Sequence, residues 1–293
     1  MKRILGLLLC VCMVTSLAAC GSSDTKSDKA EGSKETVSSE TSKSKEATIE
    51  ETVIYDANNI KITAKEFDLK GTFGPELKVL IENNSDKTLT FQTGSASING
   101  YMVDSVISSD VTPGKKVNDG IFFYKEDLEV SGITQVADIQ FKFHIIDSET
   151  WDTVMDTDMI TLKTSIADGF KYEYDESGDV IYDNGGIKVI SKGLSDRDIF
   201  GPGITLLIIN NSAQDITIQT RNSSINGFMI DSIFSSEVLV GKHCASNVTF
   251  MQSDLDANGI KDIENVEFSL HIFNMDSWDT ITDSDTITLT FTK

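Results

Sequence analysis

The side chains able to do chemistry are few, and most of them occur twice. His144 and His271 stand inside the alternating runs Ile139-Phe141-Phe143-Ile145 and Val266-Phe268-Leu270-Ile272, each between two apolar positions. Period-two alternation puts them on the outer face of a strand, beside Lys142 and Ser269. A general base needs an orienting partner and a pocket. The surrounding sequence offers neither, so solvated strand histidines are expected. An acidic stretch follows each strand: Asp147, Glu149, Asp152, Asp156 and Asp158 in the first case, Asp276, Asp279, Asp283 and Asp285 in the second. Hard oxygen ligands gathered in a loop suit Ca²⁺, which takes about six to eight oxygens. Asp152, Asp156, Asp158, Asp279, Asp283 and Asp285 are therefore the Ca²⁺ candidates, set against the plainer expectation of solvated turns with no metal. Asp254-Leu-Asp256-Ala-Asn258-Gly259 opens like an EF-hand loop. It then departs, because Lys261 replaces an apolar residue and Asn265 stands where a bidentate Glu belongs. Trp151 and Trp278 lie inside the acidic stretches, each followed by Asp-Thr. An exposed Trp offers a ligand a large flat apolar face with one polar handle. A Trp capping the open end of a sheet sandwich has the same sequence signature, and the cap is the preferred reading. No Gly-x-Ser-x-Gly, His-Glu-x-x-His, Walker loop or dinucleotide-binding glycine pattern occurs, so an enzyme is not expected.

Those pairs exist because the chain is duplicated. Residues 53–164 align with 180–291 at a constant shift of 127 without a gap, and 46 of the 112 pairs are identical. Two copies fall short of the three or more that a solenoid needs, so each copy must carry its own core. Each copy reads as short strands punctuated by turns. Leu77-Val79-Ile81 and Ile204-Leu206-Ile208 alternate with their neighbours, and Lys61–Lys65 and Lys188–Lys192 begin the sheets. Asn99-Gly100 and Asn226-Gly227, between apolar flanks, are strong hairpin signals, since type I′ turns need positive φ at both central residues. Pro113-Gly114 suits a type II turn, and Val240-Gly241 keeps its glycine. A helical turn is expected near Asp127-Leu128 and Asp254-Leu255. Phe73-Gly74-Pro75 and Phe200-Gly201-Pro202 read as turns with an apolar plug. Seven or eight such strands predict a β-sandwich in each copy, with a small closed barrel as the rival.

The expected plan is a signal segment over 1–19, a disordered tether over 20–51, sandwiches over 52–165 and 180–293, and a short acidic linker over 166–179. Lys2 and Arg3, an apolar run to Leu17 and the ending Leu-Ala-Ala-Cys make up the first part. That ending resembles the lipobox of bacterial lipoproteins, which implies that Cys20 becomes the first mature residue and carries lipid on its sulfur. Several acyl chains (diacylglycerol, palmitate) hold a protein on a membrane far better than one. Residues 21–51 are almost devoid of apolar side chains, too polar to fold, and reach about 30 Å as a flexible coil. Cys10 and Cys12 leave with the signal, so Cys244 is the one spare thiol and no internal disulfide framework is possible. Its counterpart is Val117, which marks Cys244 as a small apolar filler. The net charge of −21 disfavours nucleic acid and anionic headgroups and favours cations or basic partners.

Three strings recur in order: Asn-Gly-Tyr/Phe-Met, Val-x-x-Gly-Lys (Val111–Lys115 and Val238–Lys242), and Leu-x-x-x-Gly-Ile (Leu128–Ile133 and Leu255–Ile260). They resemble the Ig-like lipoproteins of Gram-positive, clostridial-type bacteria. The resemblance covers both copies and implies an Ig-like sandwich on the outer face of the cell membrane, without carrying an active site across. The expectation is two tandem Ig-like antiparallel β-sandwiches, all-β, acting as a lipid-anchored binding or adhesion module that engages a protein, peptide or glycan noncovalently. The alternative is a surface spacer rigidified by Ca²⁺.

Overall fold

The computed structural model describes residues 46–71 and 74–291, and of residues 196–198 the backbone alone. The expected signal segment, Cys20, most of the tether and Phe73 lie outside the described residues. The first copy runs β1 (Thr52–Ala57), β2 (Ile60–Asp68), β3 (Glu76–Asn83), β4 (Leu89–Ile98), β5 (Tyr101–Val103), β6 (Ser105–Val106), β7 (Ser108–Val111) and β8 (Lys115–Phe123). Helix α1 (Lys125–Val130) follows, then β9 (Asp138–Asp147), β10 (Thr153–Asp156) and β11 (Ile160–Lys163). The second copy repeats this order with β12 (Asp179–Asn184), β13 (Ile187–Asp198), β14 (Gly201–Asn210), β15 (Ile216–Ile225), β16 (Phe228–Met229), β17 (Ser232–Ile233), β18 (Ser235–Val238) and β19 (Lys242–Phe250). Helix α2 (Gln252–Ala257), β20 (Asn265–Asn274), β21 (Thr280–Asp283) and β22 (Ile287–Thr290) complete it.

Alternation does the positioning. In β3, Leu77, Val79 and Ile81 are buried while Lys78, Leu80 and Glu82 face out. Their inward neighbours on β4 and β9 include Phe91, Phe141 and Phe143, all fully buried. Asn99 (φ 51°) with Gly100 (φ 84°), and Asn226 (φ 50°) with Gly227 (φ 83°), make the left-handed pairs that the hairpins require. Buried Asn83 and Asn210 each satisfy their whole amide. Asn83 donates to Lys87 O and Val111 O and accepts from Ser85, and Asn210 does the same with Gln214, Val238 and Ser212. β1 adds a strand ahead of the expected sheet start at Lys61. It is a half-exposed edge with a bulge between Val53 and Tyr55, so its alternation is broken. Phe200 is exposed, which corrects its reading as an apolar plug.

The sheets are open, which removes the closed barrel. One runs β1-β2-β3-β8-β6, one runs β16-β15-β20-β21 with β18 and β22 alongside, and the third belongs to both copies. That third sheet runs β10-β9-β4-β5-β19-β14-β13-β12. Its crossing point is a parallel contact of β5 with β19, where Tyr101 meets His243 and the His243 N–H donates to Gly100 O at 3.0 Å. Each copy is a sandwich with its own core, yet the cores interlock. Ile190, Leu207 and Ile209 of the second copy join the first core, and Met102 of the first joins the second.

Residues 166–179 lie across this joint as an aromatic strap. Tyr174 stacks on His243 with ring centres 3.7 Å apart and planes 4° apart, and it packs on Tyr101 at 5.3 Å. Tyr172 meets Tyr101 edge-on at 5.7 Å and Tyr174 at 5.3 Å. Their hydroxyls donate to Ser131 O (2.8 Å) and Asn99 O (2.9 Å) respectively, so the strap is both apolar and hydrogen-bonded. Burial pushes the Tyr101 phenol well above its usual range and the His243 imidazole below its own, so burial in this stack favours the neutral form of the ring.

Candidate functional site

The recurring polar and aromatic residues converge on the outer face of the β9 and β20 sheets. Odd-numbered positions of β20 point outward, so Ser269, His271 and Phe273 share that face. His271 Nδ1 lies 2.6 Å from Asp283 Oδ1 on the neighbouring β21, and His144 Nδ1 lies 2.6 Å from Asp156 Oδ1 on β10. Both histidines thus have the orienting carboxylate that the local sequence did not reveal. The partner sits 12 residues on, across a strand pair, and recurrence of His and Asp at this spacing in both copies was the available signal. His144 is half-exposed, as a solvated strand histidine should be. His271 is buried and packs on Phe273 at 5.1 Å, which corrects that reading for the second copy. The setting is an open sheet face, where the pair fixes imidazole orientation.

Trp278 completes the strip. Its ring stacks on Phe273 with centres 5.5 Å apart and planes 20° apart, while 73% of the residue stays exposed; Trp151 is 71% exposed. Neither tryptophan caps the open end of a core. Each leaves most of its surface in solvent, and the preferred cap reading is overturned. The reason is local: Trp151 and Trp278 have φ of 64° and 63°, a left-handed conformation rarely adopted by bulky residues. Short hydrogen bonds impose it. Trp151 N–H donates to Asp147 O and Trp278 N–H to Asn274 O. The side chains of Asp147 and Asn274 accept the N–H groups of the two turn residues just before each tryptophan, Glu149 and Thr150 or Asp276 and Ser277. Lys87 Nζ, 2.8 Å from Asp147 Oδ2, holds that carboxyl below its usual range together with the turn N–H groups. Arg221 on β15 stands 3.8 Å from Asp283 and extends the strip in the second copy; Gly94 occupies the same place in the first. Arg221 drew no notice in the sequence because its counterpart is glycine.

The Ca²⁺ candidates are dispersed. Asp156 and Asp283 face histidines, Asp279 Oδ2 accepts from Ser277 Oγ at 2.9 Å, and Asp152 contributes to its turn through the backbone. Asp158 and Asp285 line shallow grooves beside β11 and β22. Among the described residues no three His, Cys, Asp or Glu side chains are arranged to hold a metal ion. Asp254 and Asp256 lie within α2, and a helix there replaces the ligand loop of an EF-hand.

A second concave feature lies at the joint, a cleft of about 650 Å³ lined by Met102, Asp104, Tyr124, Asp127, Glu237 and Cys244 among others. Asp127 Oδ2 accepts the Asp104 N–H at 2.7 Å. Burial pushes the Asp127 carboxyl up to about 6, against the pull of that hydrogen bond, with Asp104 and Glu126 adding to the rise. Burial also raises Glu237, helped by Asp104 and Asp276. Cys244 is buried and its thiol is pushed up to about 12 by burial, so it is inert in place. In comparisons with known proteins, no family model and no curated protein sequence matches the chain.

Proposed function

We propose that the protein is a noncovalent binding module of the cell surface, held on the membrane by lipid at Cys20, that takes a glycan on the strips built around Trp151 and Trp278. The observation that carries this reading is Trp278 itself: left-handed, 73% exposed and stacked on Phe273. A residue kept in a sparsely populated conformation with its largest apolar face in water is held there against local preference. The flat indole suits the apolar face of a sugar ring. The neighbouring Asp283 and Arg221, with Gln219 of β15 opposite His271, supply acceptors and donors for hydroxyls. Two such loops on one rigid body would add avidity toward a repeating polymer. The Ca²⁺ spacer has less support, because the joint it would stiffen is already packed by Tyr101, Tyr172, Tyr174 and His243.

The test is co-sedimentation of the protein with insoluble polysaccharides: chitin, cellulose and a Gram-positive cell-wall preparation. Wild type is expected to pellet with at least one. Trp278→Ala and Trp151→Ala each lower the bound fraction, and the double variant abolishes it, with melting temperatures that confirm folded proteins. Absence of wild-type binding to all three, or equal binding by the double variant, overturns the proposal. The anchor has its own check: Cys20→Ser should move the protein from the membrane fraction to the medium, and continued membrane retention rejects it.

A further inference from the structure

The internal joint is a template for a second contact that the same surfaces can make between molecules. In the joint, the hairpin end of the first copy docks on β19 of the second. Tyr101 is 3% and Met102 8% exposed there, and Met102 reaches into the second core. The second copy carries the same hairpin in the same register, with Ser224 opposite Met229 and Ile225 opposite Phe228, as Ser97 is opposite Met102 and Ile98 opposite Tyr101. Here no described residue covers it: Phe228 is 47% and Met229 71% exposed. The receiving strand has a counterpart too. β8 pairs with β3 in the register that β19 keeps with β14. Among the described residues, β3 alone pairs with β8 over Lys115–Asn118, and β6 meets the other edge of β8 only at Phe122 and Phe123. The shared register points the Lys116 N–H outward as the His243 N–H points at Gly100 O.

We infer that the protein self-associates head to tail, the Phe228–Met229 edge of one molecule docking on β8 of a second copy. Met229 then enters beside Val117, which is half-buried at the margin of the first core and occupies the place of Cys244, the residue that shares a core and a cleft with Met102. Phe228 meets the Lys116 ammonium where Tyr101 meets the His243 ring, a cation–π pair in place of a tilted ring contact. Lys242 Nζ donates to Gln140 Oε1 at 2.7 Å in the joint; their counterparts are Lys115 and Glu267, so the hydrogen bond becomes an ion pair of opposite charges. Edge-to-edge pairing of two Phe228 hairpins is disfavoured, because Asp231 and Glu267 on each would face each other.

The two contacts differ in permanence. Where the second copy offers Ile190, Leu207, Ile209 and Ala245, the first offers Thr63, Leu80, Glu82 and Asn118. A covalently tethered joint can be as apolar as a core, whereas a surface that is at times empty must be as polar as the rest. The intermolecular contact is therefore weak, reversible and salt-dependent. A heterologous contact of this kind adds copies head to tail, and the rotation between successive copies sets whether they close into a ring or grow as an open row.

Sedimentation velocity of the purified protein over a wide concentration range tests this. The average mass should rise with concentration and fall again at high salt. Met229→Asp should leave monomers at every concentration with an unchanged melting temperature, since Met229 is exposed. Lys115→Glu or Glu267→Lys alone should weaken association by about tenfold, and the doubly reversed chain should recover it. A wild-type mass that stays monomeric, or association untouched by Met229→Asp, overturns the inference. So does association that Met229→Asp removes but Lys115→Glu leaves alone, which would assign the edge to pairing with itself.

Discussion

At the scale of single residues, backbone conformation decides what Trp151 and Trp278 can present. Their φ near 64° and 63° suits glycine, so replacing either by glycine removes the ring while relieving about 1 kcal/mol of strain. Trp151→Gly should leave chemical-denaturation stability unchanged or slightly higher. Trp278→Gly should be less stable than that by about 1 kcal/mol, because it also strips the stack from Phe273. The composition of these loops was legible in the sequence, but their exposure was not. A Trp among aspartates reads equally as cap or platform until the turn's handedness is known. The second residue-scale consequence concerns acid. Asp127, pushed up to about 6, and Glu237, also raised, bind protons more readily folded than unfolded. Stability therefore increases as pH falls through about 6 toward the ordinary carboxylate range, with at most about 3 kcal/mol from Asp127. Melting temperature should rise from about pH 7.5 to about pH 5, and Asp127→Asn should flatten the rise while keeping an acceptor for the Asp104 N–H. Asp147 and Asp175, both held low by their hydrogen bonds and lysines, act oppositely, and their contribution is lost only at still lower pH.

At the scale of elements, one hairpin occurs in two surroundings. Gly100 and Gly227 share a left-handed φ, but a Cβ on Gly100 would stand 2.2 Å from Tyr174 Oη while one on Gly227 meets open space. Gly227→Ala should cost about 1 kcal/mol, the ordinary penalty of a side chain at positive φ. Gly100→Ala should cost clearly more, because the strap must lift and the Tyr174 hydroxyl must leave Asn99 O; paired denaturation curves measure the difference. The strands themselves followed from alternation and turn chemistry, which is why β3, β9, β14 and β20 were readable residue by residue. The strap was not. Phe170, Tyr172 and Tyr174 alternate with the charged residues Lys171, Glu173 and Asp175, a pattern shared by a half-buried strand and a solvated linker. Only the aromatic surface of the first copy's end, Tyr101, distinguishes them.

For the whole molecule, a shared sheet and interlocked cores mean that the copies should unfold together. Calorimetry is expected to show one transition for wild type. Tyr101→Ala, which empties the centre of the joint at a cost of about 3–5 kcal/mol, should divide it into two, one for each sandwich. The duplication made the two cores legible from sequence. Their fusion was hidden, because it depends on positions where the copies diverge, such as Ile209 against Glu82 and His243 against Lys116.

The buried thiol of Cys244 lends this joint a clock. Apart from residues 10, 12 and 20 the chain has no other cysteine, and Cys244 lies in the second core at the margin of the cleft that Met102 also lines. Only 8% of Cys244 is exposed in the closed joint, so a soluble alkylating reagent reaches it far faster once the copies part. The alkylation rate of a chain lacking the early cysteines would therefore count openings of the joint directly, and a ligand that clamps the two sandwiches together would slow that count without touching the cysteine.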